Sequence, residues 1–220
     1  MVRYLGHASF LLVSPGNVRI VTDPFGPDVP YPEISVSCDV ATVSHEHHDH
    51  NYVSALKGNV EVLRGLDPAT KKAIRFEKKV GDVTFRTVPS YHDAEGGRKR
   101  GENAIFVMEF DGLKVVHLGD LGHSLSDEHI AEIGPVDVVM VPVGGYYTID
   151  AGTAKEVVRS LKPRVVVPMH YKTRYTSSWP IAAVDEFIRG EPNVKRVGGV
   201  EVNLKKGILP EKTEVWVFDV

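Results

Sequence analysis

The sequence predicts an α/β or α+β sandwich, with sheets at its centre and helices on the outer faces. Three observations lead there. Short apolar strand runs joined by turn residues fill the first half. Strand and helix patterns alternate in the second half. The composition is that of an ordinary globular chain: 42% hydrophobic and 25% charged over 220 residues. Those values exclude a disordered chain, a collagen-like repeat and a coiled coil. One domain over residues 1–220 is expected. A chain this long buries roughly 70% of its unfolded surface without disulfide staples, and Cys38 is its only cysteine.

The elements follow in order. Ser9 to Val13 and Val18 to Thr22 flank the turn cluster Ser14-Pro15-Gly16-Asn17, which reads as a hairpin. Asp23 to Pro32 holds four prolines and a glycine, so it is a loop. Val40 to Val43 is a short buried strand. Val60 to Leu63, Val83 to Val88, Ile105 to Phe110 and Leu113 to Leu118 are further strands, the last two joined by the hairpin turn Asp111-Gly112. Ser126 caps a helix that runs to Ile133. A strand over Val136 to Val141 precedes a helix over Thr153 to Leu161, where Thr153 to Glu156 matches a capping box. Arg164 to Val167 is a strand, Ile181 to Ile188 a helix after Pro180, and Val215 to Val217 the last strand.

One window stands apart. Ten histidines in 220 residues predict about 0.3 per six residues, yet His45-Glu46-His47-His48-Asp49-His50 holds four and a carboxylate. His45 and His47, two apart in a chain leaving a strand, face the same side. Asp49 and His50 turn into the next element and present ligands from another direction. Imidazole nitrogen and carboxylate oxygen are the donors of Zn²⁺ and other first-row metals. A solvated histidine tract would need no further ligands. This chain supplies His92, Asp120 and His170, each just past a predicted strand end.

These residues resemble the metallo-β-lactamase-fold superfamily of metal-dependent hydrolases. Its H-x-H-x-D-H signature is matched by His45, His47, Asp49 and His50; its later His, Asp and His are matched by His92, Asp120 and His170. Asp23, in Thr22-Asp23-Pro24, matches its early acidic position. The segments Gly6-His7-Ala8-Ser9-Phe10, Gly144-Gly145-Tyr146-Tyr147-Thr148 and Pro168-Met169-His170-Tyr171 are similar to the small single-domain, lactonase-like branch. The resemblance implies a four-layer αββα sandwich with metals at one edge. It assigns His45, His47 and His92 to a first metal, Asp49, His50 and His170 to a second, and Asp120 to a bridge. Two divalent ions would then share a water ionised to hydroxide, Zn²⁺ being the first choice and Mn²⁺, Fe²⁺ or Ni²⁺ the alternatives. Asp49 would orient that hydroxide or take its proton.

Around this set, Asp23 reads as the acceptor for a metal-bound histidine's other N–H. His7 and Thr148 are candidate neighbours of the substrate. Arg100, in the basic run Arg98-Lys99-Arg100, is a candidate partner for an anionic group. His117, His123 and His129 read as structural, and His48 is expected to face away. The expected substrate is a small-molecule ester, lactone, amide or phosphodiester. A nuclease of the same fold, an iron oxidoreductase using the same ligands and a non-catalytic metal-binding module are the competing readings. The net charge of −3 counts against nucleic acid. The first 50 residues carry two basic and six acidic groups, so they hold no basic stripe. No run reaches the roughly 20 apolar residues of a membrane span. With no signal peptide visible and a lone cysteine, a cytoplasmic location is expected; a homo-oligomer is compatible with the sequence.

Overall fold

The computed structural model describes residues 1–220. The chain opens with β1 (Val2–Gly6), β2 (Ser9–Val13) and β3 (Arg19–Thr22), followed by β4 (Val40–Val43) and β5 (Glu61–Arg64). β6 (Glu77–Val80), β7 (Val83–Tyr91), β8 (Glu102–Phe110) and β9 (Leu113–His117) come next. From there helices alternate with strands: α1 (Asp127–Ile133), β10 (Val138–Pro142), α2 (Ala151–Leu161), β11 (Val165–Met169), α3 (Val184–Ile188) and β12 (Val194–Arg196). β13 (Glu201–Val202) and β14 (Glu214–Val217) close the chain.

The strands form two sheets. One runs β13-β1-β2-β3-β4-β5 and the other β12-β14-β11-β10-β9-β8-β7-β6. Each is antiparallel on the hairpin side and parallel on the other. Strand alternation decides which side chains meet. Phe10, Leu12 and Ile20 join Phe85, Phe106, Met108, Met140 and Val167 in the main core between the sheets. Leu11 and Val21, on the opposite face, pack with Cys38, Leu56 and Val60. In the parallel half, β10 and β11 are buried along their whole length, as strands covered on both faces are. The result is an α+β sandwich flanked by short helices. No helix is long and apolar enough to cross a membrane.

The hairpins form where the turn residues place them. Phe10 pairs with Thr22 and Val13 with Arg19. Phe110 pairs with Leu113 across Asp111 and Gly112, both at positive φ. Ser126 caps α1, and His129 completes a capping box with it. Two helix starts differ from expectation. α2 is capped by Asp150, whose side chain accepts from Thr153 N, so Thr153 lies inside the first turn. α3 starts at Val184, not at Ile181. The backbone before it is already engaged: Ala182 N donates to Gly144 O at 2.7 Å, and Ala182 O accepts from Lys172 N at 2.8 Å. A residue bonded across the fold in this way is unavailable to a helical turn.

Candidate metal centre

Six loops leaving β1, β3, β4, β7, β9 and β11 converge on one edge of the sandwich. They bring together His7, Asp23, the 45–50 segment, His92, Asp120 and His170. Three of these, His7, Asp23 and His170, hold left-handed backbone at φ 55°, 37° and 53°. Such conformations cost on the order of 1–3 kcal/mol each and persist where surrounding contacts enforce them. His170 N donates to His7 O at 2.9 Å, and Tyr4 Oη donates to the same carbonyl at 2.8 Å. Close backbone approach sets the rest. A Cβ on Gly144 would lie 2.2 Å from His170 O, and one on Gly122 2.3 Å from the His92 carbonyl carbon. Only glycine lets these loops touch.

Asp120 lies at the centre, 2% exposed. Its Oδ2 is 3.1 Å from His92 Nε2, 3.3 Å from His50 Nε2, 3.5 Å from His170 Nε2 and 3.9 Å from His45 Nε2. Burial alone would raise its pKa, but the imidazoles of His170, His50 and His92 hold it well below the carboxylate range. Asp49 Oδ2 is 3.1 Å from His7 Nε2 and 3.6 Å from His50 Nε2. Two groups of side chains offer converging ligand atoms: His45, His47 and His92 in one, and His7, Asp49, His50 and His170 in the other. His47 is the exposed member of the first.

Asp23 fixes how two of these imidazoles face. It is fully buried. Its Oδ1 accepts from Ser44 N at 2.8 Å, and its Oδ2 from Ser44 Oγ at 2.5 Å and from His50 Nδ1 at 3.0 Å. Ser44 Oγ thus spends its proton on Asp23 and receives the Nδ1 proton of His45 at 2.9 Å. Both histidines are thereby set with Nδ1–H outward and Nε2 toward Asp120; this tautomer follows from the bonding network. Burial pulls His50 down, but Asp120, Asp49 and Asp23 together raise it well above its ordinary value. His45, desolvated and beside His50, is lowered.

The donor set fits divalent ions. His45 Nε2, both ring nitrogens of His92, His170 Nδ1 and Asp120 Oδ1 are buried without a hydrogen-bond partner. Stranding one such atom costs about 1–3 kcal/mol; cations would take up the lone pairs of His45 Nε2, His92 Nε2 and Asp120 Oδ1, while Nδ1 of His92 and of His170 would carry the N–H of an imidazole bound through Nε2.

A cavity of about 470 Å³ opens over this cluster. Its floor is His47, Asp49, His92, Asp120 and His170. Trp179, Tyr147 and Val29 wall it, and Arg100, His48 and Asp28 stand at its rim. The Arg100 guanidinium carbon is 5.6 Å from the Tyr147 ring centre. Asp93 presents that arginine. Its buried carboxylate accepts four backbone N–H groups, from Glu95 and Gly97 on Oδ1 and from Lys99 and Arg100 on Oδ2, all at 2.8–2.9 Å. Arg98 and Lys99, its neighbours in the basic run, are exposed.

Other residues singled out from sequence lie at the margin of this site or away from it. Thr148 lines a smaller side pocket with Lys99 and Arg100, and its hydroxyl donates to Ile149 O. His48 is 76% exposed and pairs with Asp28. His117 is buried with Nε2 on Ala8 O. His123 uses both ring nitrogens on backbone, and Tyr171 packs beside Tyr4. Trp179 and Asp93 were not picked out by sequence reasoning. A tryptophan nine residues after His170 is the signal that was available for the first.

Residues 1–170 match the beta-lactamase superfamily domain. The chain belongs to the metallo-β-lactamase superfamily. It is 32% identical over 204 residues to a metal-dependent hydrolase of Pyrococcus furiosus, covering 84% of this chain and 88% of that protein. A crystal structure of a superfamily protein from Thermotoga maritima is 37% identical, covers 99% of this chain and 97% of its own, and superposes with TM-score 0.78. A metallo hydrolase of Ignicoccus hospitalis, 22% identical, shares the fold at TM-score 0.63 over 86% of this chain and 88% of its own. Fold and clustered donors together make this superfamily member a metal-dependent hydrolase with room for a dinuclear site.

Proposed function

We propose that residues 1–220 form one metallo-hydrolase domain that cleaves a small-molecule ester, lactone, amide or phosphodiester bearing an anionic group. The observation carrying this reading is the Asp120 carboxylate, which has four imidazole Nε2 atoms within 3.9 Å. His45, His47 and His92 would hold one ion, Asp49, His50 and His170 the other, and Asp120 both. The all-nitrogen-and-oxygen donor set suits Zn²⁺. Bound ions of this kind lower the pKa of water toward neutrality and polarise a carbonyl or phosphoryl oxygen.

The chain's own residues do the remainder. Asp23 holds His45 and His50 in the tautomer that turns Nε2 inward. Asp49, half-buried at the cavity floor, accepts a hydrogen bond from the attacking water and orients it. Trp179 and Tyr147 cover the site and limit solvent. Arg100 faces the same space and pairs with a carboxylate or phosphate on the substrate. A single cation on an otherwise mixed rim favours a small anion over a nucleic-acid strand, which needs a basic track. An anionic lactone is the first substrate to try. Lone, buried Cys38 suits a reducing cytosol.

Elemental analysis of protein purified without added metal tests the assignment, followed by assays on lactones and bis-aryl phosphodiesters. Asp120→Ala should lose metal stoichiometry and hydrolysis together. A variant that keeps both removes Asp120 from the centre of the site.

A further inference from the structure

We propose that His7 is an additional ligand of the ion held by Asp49, His50 and His170, and that this position therefore binds its ion more tightly than the His45–His47–His92 position. The proposal rests on the dinuclear reading above. Nothing in the 45–50 signature calls for His7, which comes from the β1–β2 turn at the far end of the chain.

The distances argue for it. Ligand atoms about 2.0–2.1 Å from one ion are about 3.3–3.4 Å apart at a tetrahedral edge and about 2.9–3.6 Å apart in five-coordination. His7 Nε2 is 3.1 Å from Asp49 Oδ2 and 3.2 Å from His50 Nε2. Those separations match the 3.3 Å and 3.5 Å by which His50 and His170 stand off Asp120. His7 Nε2, His50 Nε2 and Asp49 Oδ2 thus point their lone pairs at one small region. Without an ion, protons on the imidazoles must fill that region, and a cation bound there would take their place.

The turn is built to hold that orientation. His7 is 1% exposed and sits at φ 55° after Gly6 at φ 113°, where the β1–β2 register slips. Its carbonyl is pinned by Tyr4 Oη and His170 N. Its ring is clamped by His170 at 4.3 Å and by the edge of Trp179 at 5.4 Å between centres. The same carbonyl fixes the backbone of another ligand, so the two imidazoles move as a unit. With Asp120 shared, the His7 position draws on five side chains, four of them nearly buried. The other draws on four, with His47 exposed.

Cobalt(II) titration of the metal-free protein, read by visible absorption and by equilibrium dialysis, tests this without any substrate. Wild type should take up two ions in two resolved steps. His7→Ala should weaken the tighter step by roughly 10–100-fold or more and change its absorption spectrum, leaving the weaker step in place. His47→Ala should do the reverse. His7→Asn, whose side chain tolerates positive φ, keeps the turn and should behave like alanine. His7→Gln can still offer Asp49 an N–H but is a poor ligand, and it too should match alanine. The proposal is overturned if His7→Ala leaves both steps intact, or if His7→Gln restores wild-type uptake, which would make His7 only a hydrogen-bond donor to Asp49. Should wild type bind a single ion, the dinuclear reading fails instead; the His7 assignment then stands or falls on whether that ion is weakened by His7→Ala.

Discussion

Asp93→Asn is the sharpest probe of how the cavity rim is made. The asparagine keeps the shape of the side chain but only one acceptor oxygen. If that oxygen stays with Glu95 N and Gly97 N, the Lys99 and Arg100 N–H groups face an amide NH₂ and lose their acceptor. Hydrogen bonds to a charged group contribute about 1.5–3 kcal/mol each, so two are worth about 3–6 kcal/mol at most. Gly96, Gly97 and Gly101, all at positive φ, let the loop relax, and about 2–4 kcal/mol is the loss expected to survive. It should appear as local opening of residues 94–101, because this loop adds little to the core between the sheets. At tenfold per 1.4 kcal/mol, amide exchange at Lys99 and Arg100 should speed up by about 30- to 700-fold, while exchange in β10 and β11 stays unchanged. Metal content is measured alongside, since His92 adjoins the substitution. Exchange at 99 and 100 that stays at the wild-type rate would refute the idea that the Asp93 carboxylate organises the loop.

Three further outcomes follow from the same geometry. Arg100→Ala should raise KM for anionic substrates by about 10- to 150-fold, the range for one charged contact, and leave neutral analogues alone; equal effects on both would take Arg100 out of substrate binding, and its effect should not add to that of Asp93→Asn. Asp23→Asn removes one carboxylate oxygen from a buried group that bonds both Ser44 and His50, and competition with a chelator should find zinc affinity lower by roughly 10–100-fold. Burial, with Asp39 adding and Arg19 opposing, pushes the Cys38 thiol up from 9.0 to about 11. The unfolded thiol ionises first, so stability present below pH 9 should fall as pH rises toward 11, and Cys38→Ala should flatten that slope in urea titrations.

Much of the fold was legible because strands announce themselves by alternation and turns by Asn, Asp and Gly. The Asp111-Gly112 turn and the Ser14–Asn17 turn needed nothing beyond local chemistry. β6 was not legible. Its Glu77-Lys78-Lys79-Val80 carries no apolar signal, since it is an exposed edge that exists by pairing with β7. β13 is two residues long and forms against β1 from the other end of the chain. The start of α3 was misplaced for a similar reason: propensity at Ile181 lost to hydrogen bonds that only the folded chain supplies.

The metal centre shows the same division. The dense 45–50 window drew attention to itself, yet nearness in sequence did not decide which of its members face inward. His48 stands in the middle of that window and is 76% exposed against Asp28. His7 lies 42 residues before Asp49 and puts Nε2 3.1 Å from its carboxylate. What separates them is the backbone beneath. The β1–β2 turn delivers His7 to the sheet edge where the other strand-end loops arrive, whereas His48 sits on a loop that turns toward solvent. Strand ends are held by ladders on both sides, so a side chain just past one is aimed by the whole sheet. That is why His92, Asp120 and His170, each solitary in sequence, were easier to place than the neighbours of His47. His7, likewise solitary after a short N-terminal strand, is aimed by the same means.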